Sequence, residues 1–321
     1  MGKHEEIKPK RNGKKTKIRV NKKRVFVLIL IVLAILGALF AKRVHDLNGN
    51  WIAALLGHNK NTLQKLDRLY VLAMGESNGM SDTIIICSYD PKTQDAAMLS
   101  IPRDTFIGDN KQNASAYDKI NSRYNGGETP ENTLKEVNEL TGLNIENYVI
   151  IDTEALVELV DTIGGVEFNV PMDMKYNDKK QDLHIDLKEG WQTLNGDQVE
   201  QLVRFRHNAD GSTYSSEYGI EDFGRMKTQR QVITAIAKQT IQLKNVKEIG
   251  NILDITEKYV KTNIDFNILK DYVPYAIEMN MDNLKAEQLP GEAKYLNGIS
   301  FFLADEEEIA TMINELFGNQ N

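Results

Sequence analysis

Arginines and aspartates at Asp82, Arg103, Asp104, Arg204, Arg206, Asp222 and Arg225 are the residues whose types and spacing point to chemistry in this 321-residue chain. Asp82 opens a short apolar run, Thr83–Cys87, and Arg103-Asp104 closes another, Ala96–Ile101, with Asp90-Pro91-Lys92-Thr93 as turn chemistry midway between them. An antiparallel hairpin built on those runs brings Asp82 and Arg103 together at one end. Taken alone, the pair reads as a surface salt bridge, worth under about 1 kcal/mol. In the segment LVRFRH, read as a strand, Arg204 and Arg206 sit two apart and project from one face. Two such guanidiniums repel unless an anion lies between them, and interdomain salt bridging is the competing explanation. Arg225 follows at the start of a predicted helix, where unpaired N–H groups also favour anions. A phosphate site accounts for all of these with one ligand. Asp82, Asp104 and Asp222 accompany the arginines, and hard oxygen ligands beside phosphates are the usual setting for Mg²⁺, so a pyrophosphate with one Mg²⁺ fits the pattern.

Other chemistries find little footing. Neither G-x-x-x-x-G-K-[ST] nor G-x-G-x-x-G occurs, so a P-loop or dinucleotide fold has no support. The five histidines show no zinc-ligand spacing, and the single cysteine, Cys87, sits in an apolar run and reads as core filler. His207 lies beside the arginines, with acid/base duty the lesser of its readings.

The elements that must position these groups alternate in type. Thr129-Pro130-Glu131 supplies a cap and a first-turn proline for a helix carrying Leu134, Val137 and Leu140 and ending at Gly142. Leu156, Leu159, Val160 and Ile163 predict a second helix, closed by Gly164-Gly165 and followed by a strand over Val166–Val170. A long helix is expected over 226–243, with further helices near 267–279 and 305–317, the last opening on Asp305 and three glutamates suited to a helix N-terminus. The pattern predicts one α/β domain over 67–321, an α/β/α arrangement with a central mixed sheet flanked by helices.

Composition is globular at 41% hydrophobic and 26% charged, but charge is unevenly spread. The first 24 residues carry eleven Lys/Arg against two Glu, within a formal net charge of -7. Residues 25–41 form an unbroken apolar run, long enough for a short transmembrane helix. The run exceeds a signal-peptide core and is followed directly by Lys42-Arg43, which argues against cleavage. The basic residues before it place the N-terminus, residues 1–24, in the cytoplasm and the rest outside, so the expected location is the cell membrane with a single pass. Residues 42–66 read as a linker or stalk. Topology accounts for the basic tail without nucleic acid, and the tail is too short for a folded DNA-binding module.

Ordered landmarks then resemble the LytR-CpsA-Psr family of wall-glycan transferases: SDT at 81–83, SIPRDT at 100–105, KIN at 119–121, Gly126-Gly127, DTIGGVEFNVP at 161–171, LNGDQ at 194–198, RFRH at 204–207 and DFGR at 222–225. The resemblance covers about residues 67–243. It implies an extracytoplasmic α/β/α domain with an apolar pocket for a polyprenyl chain, arginines on its pyrophosphate, and Mg²⁺ bridging the phosphates. Carried over by motif, Asp82 is a metal ligand, and Arg103, Arg204, Arg206 and Arg225 hold the pyrophosphate. Asp222 orients those arginines, with Asp104 and Lys119 as weaker correspondences. The implied acceptor is the 6-hydroxyl of N-acetylmuramic acid in peptidoglycan, and the implied product a phosphodiester to teichoic acid, capsule or a related polymer.

Three departures from the family pattern stand out. Met80 replaces a frequent arginine, Glu76 in a shortened loop stands where an aspartate metal ligand is usual, and Asn208–Glu221 lengthens the loop between RFRH and DFGR. Two further readings stay open on sequence: a pyrophosphatase using the same site with water as acceptor, and a non-catalytic membrane regulator.

Overall fold

A computed structural model of the chain describes residues 22–318 other than 78, 125–128, 181–182, 241–250, 252–253 and 256–257. The basic tail up to residue 21, Gly126-Gly127 and the last turn expected for the long helix lie outside the described residues. The chain divides into two compact units, Met1–Lys60 and Asn61–Asn321.

In the first unit a helix, α1 (Lys22–Asp46), contains the whole apolar run. It gives way to Asn48 and Gly49, both at positive φ, and then to α2 (Trp51–Leu55), capped where the Asn50 side chain accepts from Ala53 N at 2.6 Å. Among the described residues no helix is long and apolar enough to cross a membrane; the side chains of residues 22–32 lie outside them. The expected stalk is thus two helical pieces, α2 and α3 (Lys60–Lys65), joined by turns.

The second unit is built on a six-stranded mixed sheet. Its strands are β1 (Leu69–Ser77), β2 (Met80–Asp90), β3 (Asp95–Ile101), β4 (Asn147–Ile151), β9 (Val260–Thr262) and β10 (Lys285–Gln288), in the order β10-β3-β2-β1-β4-β9. The hairpin β2–β3 pairs from Asp90↔Asp95 to Ile84↔Ile101, so Asp82 and Arg103 each lie two residues past the last rung and face each other, as the sequence implied. β2 is buried on both faces, which is why it reads as a continuous apolar run: Ile84 and Ile86 point one way and Ile85 the other. On the first side the sheet packs against α4 (Pro130–Thr141) and α9 (Glu306–Phe317), with Val137, Ile309, Ile313 and Phe317 against Leu72, Met74, Ile84 and Leu99. On the second side lie α5 (Thr153–Thr162), α6 (Gly196–Arg204) and α7 (Asp222–Thr240). These helices share a second core with two ribbons, β5 (Val166–Val170) with β8 (Gly190–Leu194), and β6 (Met174–Asp178) with β7 (Leu183–Leu187). The remaining helix, α8, spans Phe266–Ala276, and a last ribbon, β11 (Gly291–Leu296) with β12 (Ile299–Ala304), precedes α9.

Local chemistry sets the helix ends. Gly142, at φ 70, closes α4 with its N–H on Asn138 O, and Asp305 accepts from Glu307 and Glu308 N to start α9. Asp152 caps α5 by accepting from Ala155 N at 2.8 Å. Asn195 and Gln198 exchange side-chain bonds with each other's backbone N–H, a reciprocal cap that starts α6.

That cap corrects one expectation. LVRFRH is not a strand: Arg204 is the last residue of α6, Phe205 turns the chain into extended geometry and is fully buried, and Arg206 follows in coil. The helical spacing of Val199 and Leu202, both buried, overrides the strand reading of the short apolar run.

α5 and α6 cross closely at Gly196, where a Cβ would come within 2.4 Å of the Val157 carbonyl oxygen. Gly196→Ala is therefore expected to destabilise the chain by about 1–3 kcal/mol through overpacking, read as a lower urea midpoint with unchanged slope.

Candidate active site at the open end of the hairpin

Asp82 owes its placement to an irregularity as much as to the hairpin. The β1–β2 ladder runs Gly75↔Thr83 and then Glu76↔Ser81, so Asp82 is the residue left out of register, bulged at the sheet end beside Glu76. Such bulges re-aim a side chain. The Asp82 carboxylate accepts from Arg103 Nη1 at 2.7 Å.

Asp222, in the first turn of α7, gathers the other cations. Its carboxylate lies 2.9 Å from Arg225 Nη2, 3.5 Å from Arg206 Nε and 3.7 Å from Arg103 Nη2. Arg206 also donates to Glu221 at 2.6 Å. Three guanidiniums from a hairpin end, a coil and a helix start thus meet on one carboxylate. Arg103 and Arg225 respond differently. Burial works to lower the Arg103 pKa, but Asp222 and Asp82 outweigh it and the net shift is upward. Arg225 is held below its ordinary value, first by burial and also by Arg103 and Arg206, against the pull of Asp222. Its Nε is buried without a hydrogen-bond partner, and so is Asp222 Oδ1 despite the 2.9 Å ionic contact, because the angles suit no directed bond.

Two cavities flank this cluster. The larger, about 380 Å³, lies between the second sheet face and α5–α7, with Ala73, Ile85, Leu156, Val203, Val232 and Ile233 on its walls and Glu76, Arg204 and His207 also lining it. The smaller, about 250 Å³, lies toward β3, α7 and the β11–β12 ribbon. Asp82, Arg103, Arg206 and Arg225 line both, so the charged cluster is the partition between them.

Every other residue expected at the site is placed nearby with a different role in the geometry. Arg204 reaches the larger cavity from the end of α6, its Nη1 donating to Glu200 one turn back at 2.8 Å. Glu76 accepts from the Tyr124 hydroxyl at 2.5 Å and lies 3.5 Å from Lys261 Nζ. Asp104 lines only the smaller cavity and accepts from Lys119 Nζ at 2.8 Å. His207 places Nδ1 2.9 Å from Asn208 O and stands edge-on to Tyr176. Met80 is exposed. Cys87 is half-buried, its thiol pushed up to about 12 by burial.

Glu200, Glu221, Tyr124, Lys261 and Gln229 belong to the surroundings of the site and escape sequence reasoning. Only Glu200 has a local signal, its i,i+4 spacing to Arg204 on a helix. Gln229 lines both cavities and is fixed by donating to Val203 O at 3.1 Å. The long loop 208–221 is ordered by Tyr214, which is buried and donates to Phe205 O at 3.2 Å. Tyr214 packs so tightly on Gly224 that a Cβ there would lie 2.2 Å from its ring.

Among the described residues no group of three or more His, Cys, Asp or Glu gathers as a self-sufficient metal site. Glu76 and Asp82 nonetheless line the larger cavity together. Two carboxylates next to an anion site suit Mg²⁺, which commonly takes one or two protein carboxylates and completes its shell with phosphate oxygens and water.

Comparison with known proteins places this geometry. A sequence profile described as the LytR_cpsA_psr family matches residues 42–318. The chain belongs to that family. Within the LytR_cpsA_psr family it is similar to the polyisoprenyl-teichoic acid–peptidoglycan teichoic acid transferase TagU of Bacillus subtilis, 29% identical over 79% of this chain and 79% of that protein. It is 26% identical to biofilm regulatory protein A of Streptococcus mutans over 94% of this chain and 77% of that one. The crystal structure of Bacillus subtilis TagV superposes with a TM-score of 0.64 at 25% identity, covering 80% of this chain and all of TagV. The mixed α/β fold, with its central sheet flanked by helices, is therefore the fold of the LytR_cpsA_psr family.

Asp222→Asn removes the one carboxylate that all three guanidiniums share. A loss of stability on the order of 2 kcal/mol is expected, below the cost at a fully buried pair because Asp222 keeps part of its surface. Inorganic pyrophosphate should raise Tm more for the variant than for the parent, since the ligand replaces the missing charge. An equal rise in both would remove Asp222 from the anion site.

Proposed function

We propose that this chain is a phosphotransferase that moves a glycopolymer from a polyprenyl-pyrophosphate carrier to peptidoglycan, forming a phosphodiester at the 6-hydroxyl of N-acetylmuramic acid. The observation that carries this reading is the partition itself: three arginines around Asp222 at the mouth of an aliphatic cavity. A polyprenyl chain needs such apolar walls and its pyrophosphate needs such cations. The names of TagU and TagV from Bacillus subtilis, which describe transfer of polyisoprenyl-linked teichoic acid to peptidoglycan, agree with it.

In this reading Arg103, Arg204, Arg206 and Arg225 hold the pyrophosphate, and Asp222 keeps Arg103, Arg206 and Arg225 converged in its absence. Charge that develops on the leaving carrier phosphate is met by donors already in place, so catalysis rests on positioning and electrostatics. Asp82 and Glu76 hold Mg²⁺, which supplies further neutralisation of the phosphates. Tyr124 and Lys261 fix Glu76 in position. Asp104 and Lys119 brace each other beside the smaller cavity. The α1 helix anchors the chain in the cell membrane in a single pass, with its N-terminus cytoplasmic and the catalytic unit outside; the exposed Leu33, Ile35, Leu36 and Leu39 support that role.

The test is mass spectrometry of the full chain in detergent with Mg²⁺, a lipid-pyrophosphate-linked glycan and uncrosslinked peptidoglycan. A glycan–phosphate–peptidoglycan adduct that disappears on chelation is expected. Free glycan phosphate without adduct would make the chain a pyrophosphatase, and unchanged substrate would favour a regulatory protein. Arg103→Ala and Arg225→Ala should each lower transfer by about 10²–10³-fold, with melting curves that remain cooperative. Full activity in either variant, with a normal melting curve, would overturn the assignment.

A further inference from the structure

The smaller cavity shares its charged wall with the larger, to which the proposed function assigns the carrier lipid. Both reach the end of β2, and from there the larger extends over β1 and β4 and the smaller over the end of β3 to the β11–β12 ribbon. In phosphoryl transfer the attacking and leaving oxygens are roughly in line through phosphorus. If the carrier phosphate departs toward the aliphatic cavity, the attacking hydroxyl arrives from the other side, which is the smaller cavity. Its oxygen bonds to the glycan-bearing phosphorus as the bond to the bridging oxygen breaks. The carrier phosphate leaves with that electron pair, and the hydroxyl proton passes to a carboxylate of the wall.

The smaller cavity combines apolar walls, among them Ile84, Ile101, Phe223 and Met226, with polar groups. Phe301 and Phe302, both buried, back it, and Asp104 and Ser300 bring polar groups to the same space. Ser100 lines it as well; that residue is buried, and its Oγ has no hydrogen-bond partner. The ribbon carries the surface further. Ala293 pairs with Phe302 and Tyr295 with Ser300, so these four share one ribbon face. Three of them line the cavity, and the fourth, Tyr295, is 78% exposed on the same face. A tyrosine ring left in solvent beside a polar cleft is a platform for the apolar face of a pyranose.

We infer that the smaller cavity and the Tyr295 face of the β11–β12 ribbon form the acceptor subsite, taking an amino-sugar ring of the peptidoglycan strand with its primary hydroxyl turned to the arginine wall. This rests on the transferase reading above and assigns its acceptor side.

Steady-state transfer by the full chain, varying donor lipid-pyrophosphate-linked glycan and soluble uncrosslinked peptidoglycan strands separately, tests it. Adduct formation by the unmodified chain is the control for the transferase reading, and its absence would sink that reading before the subsite is examined. Given adduct, Tyr295→Ala and Ser300→Leu should each raise the acceptor KM about tenfold and leave the donor KM within about twofold. A rise in donor KM instead would mean the cavity holds the donor's own glycan, and no change in either constant would leave the ribbon without a role; both overturn the inference. Because Tyr295 is exposed, its truncation keeps the fold, and it decides the matter alone if the leucine variant melts early.

Discussion

Asp222 is a single carboxylate facing Arg103, Arg206 and Arg225, and much of the second side of the sheet is arranged to make that meeting possible. Arg103 arrives from the end of β3, Arg206 from the coil after α6, and Arg225 from the first turn of the same helix as Asp222. Like charges this close are tolerable only with a counter-charge among them. Asp82 and Glu221 complete that balance in the ligand-free protein. In the proposed function the oxygens of a pyrophosphate take the place of these carboxylates, the arginines being converged already.

The scaffold explains why the charges lie between two cavities and not in one. Asp82 sits on the central part of the sheet order, in a bulge, with β1 and β4 to one side and β3 and β10 to the other. α7 crosses the same region and contributes Arg225 and Gln229 to both spaces. The aliphatic residues of β1, α5 and α7 then face one cavity, and the aromatic residues of β12 face the other. One ladder irregularity and one helix start therefore place a single charged cluster against two cavities.

Much of this was legible in the residues and some was not. The meeting of Asp82 and Arg103 follows from counting along a hairpin, because register is fixed by the turn and both strands are short. The helices α5 and α9 and the strand β5 carry caps and spacing that fall within a single window of sequence; α4 has its Pro130 and closing Gly142 as expected, but Thr129, at φ 45, makes no side-chain cap bond and accepts from the Asn132 side chain instead. LVRFRH was misread because its apolar run is too short to show a period, while the deciding signal, the Asn195–Gln198 cap, lies several residues earlier. Arg206 meets Asp222 only through the path of the loop 208–221, and Tyr124 reaches Glu76 across 48 positions. Contacts of that range leave no local pattern. The division into two cavities is likewise a property of packing.

The loop 208–221 is long for a connection between two helices, and length at a cleft often signals a lid. Its contacts argue otherwise. Tyr214 is locked under Gly224, the Tyr218 hydroxyl lies 3.0 Å from Thr228 Oγ1 and donates to Gln231 at 2.8 Å, and Thr213 donates to the Arg206 carbonyl at 2.6 Å. Swinging such a segment outward would break a buried aromatic contact and several hydrogen bonds at once. These contacts hold the loop against the two helices it joins. Its last two residues, Ile220 and Glu221, line the smaller cavity, so this stretch of the rim takes its shape from contacts made several residues earlier in the loop.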